Sequence, residues 1–170
     1  NNVALSNTGF DGGGAIFCNE SSIVIDSCII ENNSASRGGG ISVRKIGTAG
    51  YGIHISNSVV SNNYAFSTAG GMYFDGRYST SNSIIENVII SNNTGVNTGG
   101  VASVFGGNPQ IYNTLFDNNT NSESNAGGAL HCWEGSAYVE NSTFVNNHSS
   151  YATITNGNGG ASTIFNSIIA

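Results

Sequence analysis

One five-residue phrase recurs along the chain: IIENN at 29–33, VVSNN at 59–63, IISNN at 89–93, LFDNN at 115–119 and TFVNN at 143–147. Aligned on the first asparagine, the copies fall at Asn32, Asn62, Asn92, Asn118 and Asn146, in steps of 30, 30, 26 and 28 residues. A period in this range marks a repeat architecture, in which each unit buries its apolar face only against its neighbours.

Further columns share the register. Seven positions upstream stand Ile25, Ile55, Ile85, Ile111 and Val139, continued by Ile164, and two upstream stand Ile30, Val60, Ile90, Phe116, Phe144 and Ile169. Five upstream come Ser27, Asn57, Asn87, Asn113, Asn141 and Asn166, followed by the small residues Cys28, Ser58, Val88, Thr114, Ser142 and Ser167. By contrast, the position after the Ile25 column accepts Asp26, Ser56, Glu86, Tyr112, Glu140 and Phe165. A column confined to Ile and Val faces a core, and one that tolerates acids and aromatics faces solvent, so the alternation is that of short strands.

A second phrase fills the other half of each period: GGAIF at 13–17, GGGIS at 38–42, GGMYF at 70–74, GGVAS at 99–103 and GGALH at 127–131. Paired glycines suit a bend that needs positive φ or a close passage of two backbones. The apolar residue that follows is expected in the core, as Ile16, Ile41, Met72, Leu130 and, in a degenerate last copy, Ile154.

Short strands, tight corners and the lack of helical periodicity predict a single all-β domain over 1–170. The expected fold is a right-handed parallel β-helix (solenoid) of about six coils with a period of about 28 residues. Coils stacked at about 4.8 Å would bring equivalent residues into ladders. Asparagine suits both a left-handed corner and an amide ladder between rungs, so Asn32, Asn92 and Asn118 are expected in a ladder column.

Composition excludes several classes of function. Only 8% of residues are charged, the net charge is −6, and Arg37, Arg44, Lys45 and Arg77 are the only strong bases, so no basic stripe for nucleic acid can be assembled. No apolar run approaches the roughly 20 residues of a membrane-spanning helix, so no direct membrane insertion is expected. Cys18, Cys28 and Cys132 fit no zinc spacing. Cys18 and Cys28 share a coil and are either bridged or core-filling thiols.

The phrases GGAI (13–16), FDNN (116–119) and FVNN (144–147) resemble the GGAI and F-x-x-N repeats of the polymorphic outer membrane proteins of chlamydiae, over nearly the whole chain. Three coils depart from the pattern, with Ile30, Val60 or Ile90 in place of Phe. The resemblance implies a right-handed parallel β-helix, displayed at a surface as an adhesive passenger.

Candidate chemistry is sparse. The acids Asp26, Glu86 and Glu140 alternate with Ser56 and Tyr112, so consecutive acids stand two coils, roughly 10 Å, apart, at the far limit for a hydrolytic carboxylate pair. His54, His131 and His148 fall in different columns and are expected at the surface. No cofactor, metal site or catalytic residue is expected.

Irregularity concentrates between the glycine phrase and the Ile25 column, where longer insertions carry Arg44, Lys45, Tyr51, Arg77 and Tyr78. Tyr73 and Trp133 project near the same edge and could stack on sugar rings. These seven are the candidate ligand-binding residues, against the alternative of tolerated surface insertions. Six N-x-Ser/Thr sequons, at Asn19, Asn32, Asn92, Asn118, Asn141 and Asn147, are candidate glycosylation sites.

The expected function is that of a non-catalytic secreted or cell-surface module: an adhesin passenger, a stalk or a head-to-tail filament unit. Its expected partner is a host or neighbouring-cell surface protein or glycan. Joining NSIIA to Asn1-Asn2 would regenerate the repeat as IIANN, so the segment is expected either within a longer protein or in self-association through its ends. The rival reading is a fragment of a pectate-lyase-like, polysaccharide-processing β-helix enzyme.

Overall fold

In a computed structural model, described over residues 2–4, 12–44, 51–77, 83–123 and 125–170, the chain is a parallel β-solenoid. It winds through about five turns with a period of about 29 residues, and no helix occurs among the described residues.

Each turn lays one strand on each of four sheets, numbered here in chain order. The first is a short ladder of two-residue strands from Val3–Ala4 to Thr120–Asn121. The second runs from Ile16–Asn19 through Met72–Asp75 to Ala152–Gly157. The third runs from Ile23–Asp26 to Ala161–Phe165, and the fourth from Ile29–Glu31 to Ile168–Ile169. The last three sheets hold six strands each, which matches the six expected coils as rungs separated by five full turns.

Pairing follows the expected register. Ile25 pairs Ile55, then Ile85, Ile111, Val139 and Ile164 in turn. These columns fill the lumen: Ile41, Ile55, Met72, Ile85, Ile90, Ile111, Leu130 and Phe116 are fully buried, and the Phe116 and Phe144 rings stack 4.5 Å apart. Ile16, Ile154 and Ile164, at the outer rungs, pack against the same core.

The Asn-Asn phrase divides its labour. The first residue of each pair, Asn32, Asn62, Asn92, Asn118 and Asn146, turns the corner with φ between 52 and 59°. Its side chain is exposed. The ladder belongs to the second residue: Asn33 Nδ2 donates to Asn63 Oδ1 (3.1 Å), Asn63 to Asn93 (3.0 Å), Asn93 to Asn119 (3.0 Å) and Asn119 to Asn147 (2.9 Å). The ladder expected at Asn32, Asn92 and Asn118 is met at one exposed step, where Asn118 Nδ2 donates to Asn92 Oδ1 (2.7 Å), while the continuous buried ladder lies one position on. Only one residue can adopt the left-handed corner, and the next then points inward.

The inward amides of the interior rungs, Asn63, Asn93 and Asn119, each donate twice. Asn93 Oδ1 accepts from Asn63 N and Nδ2, and its Nδ2 donates to Val60 O and Asn119 Oδ1. Every donor and acceptor buried at this corner therefore has a partner, as burial requires.

The second corner, between the third and fourth sheets, repeats the design. Ser27, Asn57, Asn87, Asn113, Asn141 and Asn166 take φ of 44–55°. The next residue again reaches one rung across, as when Cys28 N donates to Ser58 Oγ (3.0 Å) and Ser142 N to Ser167 Oγ (3.1 Å). Asparagine supplies eleven of the fifteen non-glycine residues with positive φ among those described, so a large share of the chain's 26 asparagines turn corners.

The glycine pairs serve close approach far more than positive φ. Among the paired glycines only Gly38 has positive φ, at 58°. A Cβ on Gly100 would stand 2.2 Å from Ala129 O, and one on Gly71 2.7 Å from Gly100 O, so rungs here pack backbone against backbone.

Candidate functional site

The outer face of the second sheet is the least regular surface of the solenoid. Two outward columns cross it. One reads Phe17, Ser42, Tyr73, Ala102, His131, Thr155, and the other Asn19, Arg44, Asp75, Val104, Trp133, Gly157. Unlike the inward column from Ile16 to Ile154, which is apolar on every rung, neither keeps one chemical type along its length.

A cleft of about 460 Å³ opens on this face. Tyr73 and His131 lie on its floor, two rungs apart with Ala102 between them. Turns that precede the strands give one wall, with Ser67, Thr68, Asn97 and Asn125, and the strand ends give the other, with Val104, Phe105 and Trp133. Ala69, Tyr73, Ala102 and Val104 form a small apolar cluster beneath it, separate from the lumen, with Phe105 packed on it.

A polar network braces the floor. The Asp75 carboxylate, 3% exposed, accepts from Arg77 Nε at 3.0 and 3.1 Å and from the Arg77 backbone N–H at 3.1 Å, and lies 2.9 Å from Arg77 Nη2. The Tyr73 hydroxyl also donates to Asp75, at 3.4 Å. Arg77 lies 4.5 Å over the Phe105 ring, and Arg37 lies 5.6 Å over the Tyr73 ring with Nη1 3.5 Å from its hydroxyl. Burial, reinforced by the Asp75 charge, pushes the Tyr73 hydroxyl up to about 12. The bond to Asp75 raises the Arg77 guanidinium further above its already basic value.

His131 is buried, and its Nδ1 lies 2.7 Å from Thr155 Oγ1. Burial lowers its pKa, so the ring is neutral at physiological pH. Trp133 stands beside it, ring centroids 6.3 Å apart, and remains 43% exposed.

Of the seven residues expected to bind a ligand, five are described, and of those Tyr73 and Trp133 line this cleft. Tyr73 is its buried floor and not an exposed platform, because the outer cluster covers it. Arg77 is committed to Asp75 and Phe105. Arg44 is half-buried one rung from Asp75, and Tyr51 sits at the approach to the third sheet. Lys45 and Tyr78 lie outside the described residues. The expectation of a surface histidine fails at His131, which the outer columns enclose.

Sequence reasoning passed over Arg37, Asp75 and Phe105. The signal for Asp75 was present in MYFDGR, where Tyr73, Asp75 and Arg77 alternate with Phe74 and so share one face.

The other candidates resolve into local partnerships. Asp26 accepts from Ser56 Oγ (2.7 Å) and Asn57 Nδ2 (2.8 Å), bonds that hold its pKa below the usual value. Glu86 meets His54 at 2.7 Å, and Glu140 accepts from the Tyr138 hydroxyl at 2.9 Å. The cysteines are free: Cys28 is exposed, and burial pushes the Cys132 thiol up to about 12. Among the described residues no group of three or more His, Cys, Asp or Glu is placed to hold a metal ion.

Five sequons, at Asn19, Asn32, Asn92, Asn118 and Asn141, are exposed. Asn147 differs, because its amide donates to Phe116 O and Val145 O within the ladder, and a glycan there would take one of the two N–H donors.

Fold and face together define a parallel β-solenoid repeat protein with a braced cleft on the outer face of its second sheet. No family model, curated protein or solved structure matches the chain.

Proposed function

We propose that this chain is a non-catalytic binding module of an extracellular or cell-surface protein, an adhesin passenger or stalk that engages a partner through the outer face of its second sheet. One observation carries the reading: the cleft has the shape of a ligand site, and its described titratable groups are not paired with one another for proton transfer. Its tyrosine stays protonated up to about 12, its histidine is neutral with Nδ1 engaged by Thr155, and Asp75 is bound by Arg77. Tyr73 and His131 stand two rungs, about 10 Å, apart, too far to act on one proton.

Incubation with polygalacturonate and with alginate, each with and without calcium, tests this reading. The expected result is no release of shorter products, together with saturable retention of the protein on a cell surface. Product release would replace the reading with a polysaccharide-processing enzyme.

A further inference from the structure

We infer that the cleft on the second sheet takes a neutral saccharide chain, lying along the solenoid axis with one ring face on Trp133. The inference rests on the binding function proposed above and adds the class of ligand.

Size and direction come first. About 460 Å³ falls within the range of about 300–1,000 Å³ typical of small-molecule sites. The floor runs from Tyr73 across Ala102 to His131, so the long direction crosses rungs and favours an elongated ligand. The floor is a sheet face whose backbone groups are already paired between rungs. An extended peptide, which binds by adding a strand to a free edge, finds none there.

Chemistry narrows the class. The cleft pairs an exposed indole with a rim of uncharged amides and hydroxyls, from Asn97, Asn125, Ser67 and Thr68. A pyranose ring matches both features, with an apolar C–H face for the indole and hydroxyls for the rim. Charged ligands fit poorly. Among the described lining residues there is no carboxylate and one guanidinium, Arg37, which lies over the Tyr73 ring, and the chain as a whole carries −6. The protonated Tyr73 hydroxyl and neutral His131 keep the floor uncharged at physiological pH.

Trp133 is the chain's single tryptophan, so its fluorescence reports on the cleft alone. The whole chain is titrated with cellohexaose, mannohexaose and chitohexaose, and with hexagalacturonate as the acidic comparison. At least one neutral hexasaccharide is expected to shift the emission saturably and to protect it from iodide quenching. By calorimetry, Trp133→Ala is expected to weaken that binding at least about tenfold and Asn97→Ala by several-fold, with each variant still folding cooperatively and its melting temperature lowered by no more than a few degrees. The inference is overturned if no neutral hexasaccharide shifts the emission at about ten millimolar, a level at which even very weak sites fill, or if hexagalacturonate alone does so. Cell-surface retention that survives Trp133→Ala in the absence of saccharide binding would overturn the inference and leave the binding function standing. Loss of retention by the unaltered chain would remove the binding function itself.

Discussion

The two faces of the second sheet obey opposite rules. Inward, the rungs offer Ile16, Ile41, Met72, Val101, Leu130 and Ile154, apolar residues that differ mainly in shape. Outward, one residue further on, they offer Phe17, Ser42, Tyr73, Ala102, His131 and Thr155. The lumen and corners must be solved identically in every turn, because each rung is the template for the next. The outer face carries no such demand, and there the chain places its brace and its cleft.

The sharpest way to break this comparison uses the two members of one asparagine pair. Asn93→Asp removes the donors to Val60 O and Asn119 Oδ1 and buries a carboxylate against an acceptor; it is expected to cost roughly 4 kcal/mol or more. Asn92→Asp, one residue away, keeps a side chain that tolerates the left-handed corner and can still accept from Asn118. It is expected to change stability by no more than about 0.5 kcal/mol. Urea denaturation of both variants reads the difference, and equal costs would show that the two columns are not distinct in role.

A smaller contrast uses phenylalanine on the two faces of the same sheet. Phe74→Ala empties a fully buried lumen position and should cost about 3–5 kcal/mol. Phe17→Ala, on the outward face and 44% exposed, should cost less, about 1 kcal/mol, because nearly half of its area is already in contact with water and no lumen cavity is left behind. Denaturant midpoints for the two variants decide whether the sheet has one core or two.

These pairs also mark what was legible in the sequence. Period, strands and lumen columns could be read because a solenoid writes each requirement several times, and repetition separates signal from accident. The exchange of roles within Asn-Asn was not legible, because both positions repeat equally well and only backbone geometry assigns the corner to the first. The cleft was least legible, since Arg37, Asp75 and His131 each occur once in their columns. Tyr73 and Trp133 were found as isolated aromatics, without the buried Asp75–Arg77 pair that braces the face beneath them.

That brace can be tested through Tyr73. Burial and the Asp75 charge hold its hydroxyl at about 12 in place of the ordinary 10, so the unfolded chain ionises first as pH rises. The resulting stability is present below pH 10 and is lost as pH climbs towards 12, a window shared with the buried thiol of Cys132. Asp75→Asn removes the carboxylate charge, and in an ultraviolet titration the Tyr73 transition is expected to fall below its position in the unaltered chain. An unmoved transition would mean that burial alone sets it and that Asp75 braces only Arg77.

The smallest expected effect lies at the acid end, on the same floor. His131 has its pKa lowered from 6.5, chiefly by burial, with the bond to Thr155 opposing. Below pH 6.5 the unfolded chain binds a proton that the folded chain resists, so stability present above that pH declines as the pH falls through the window beneath it. His131→Gln keeps a polar group within reach of Thr155 but cannot titrate, and its stability should be flatter than that of the unaltered chain between pH 6.5 and the onset of carboxylate protonation. Paired denaturation curves at several pH values in that range read the slope. Parallel slopes would show that the imidazole is as well solvated folded as unfolded, and the outer face would then be an open surface lacking the closed floor that separates it from the rest of the solenoid.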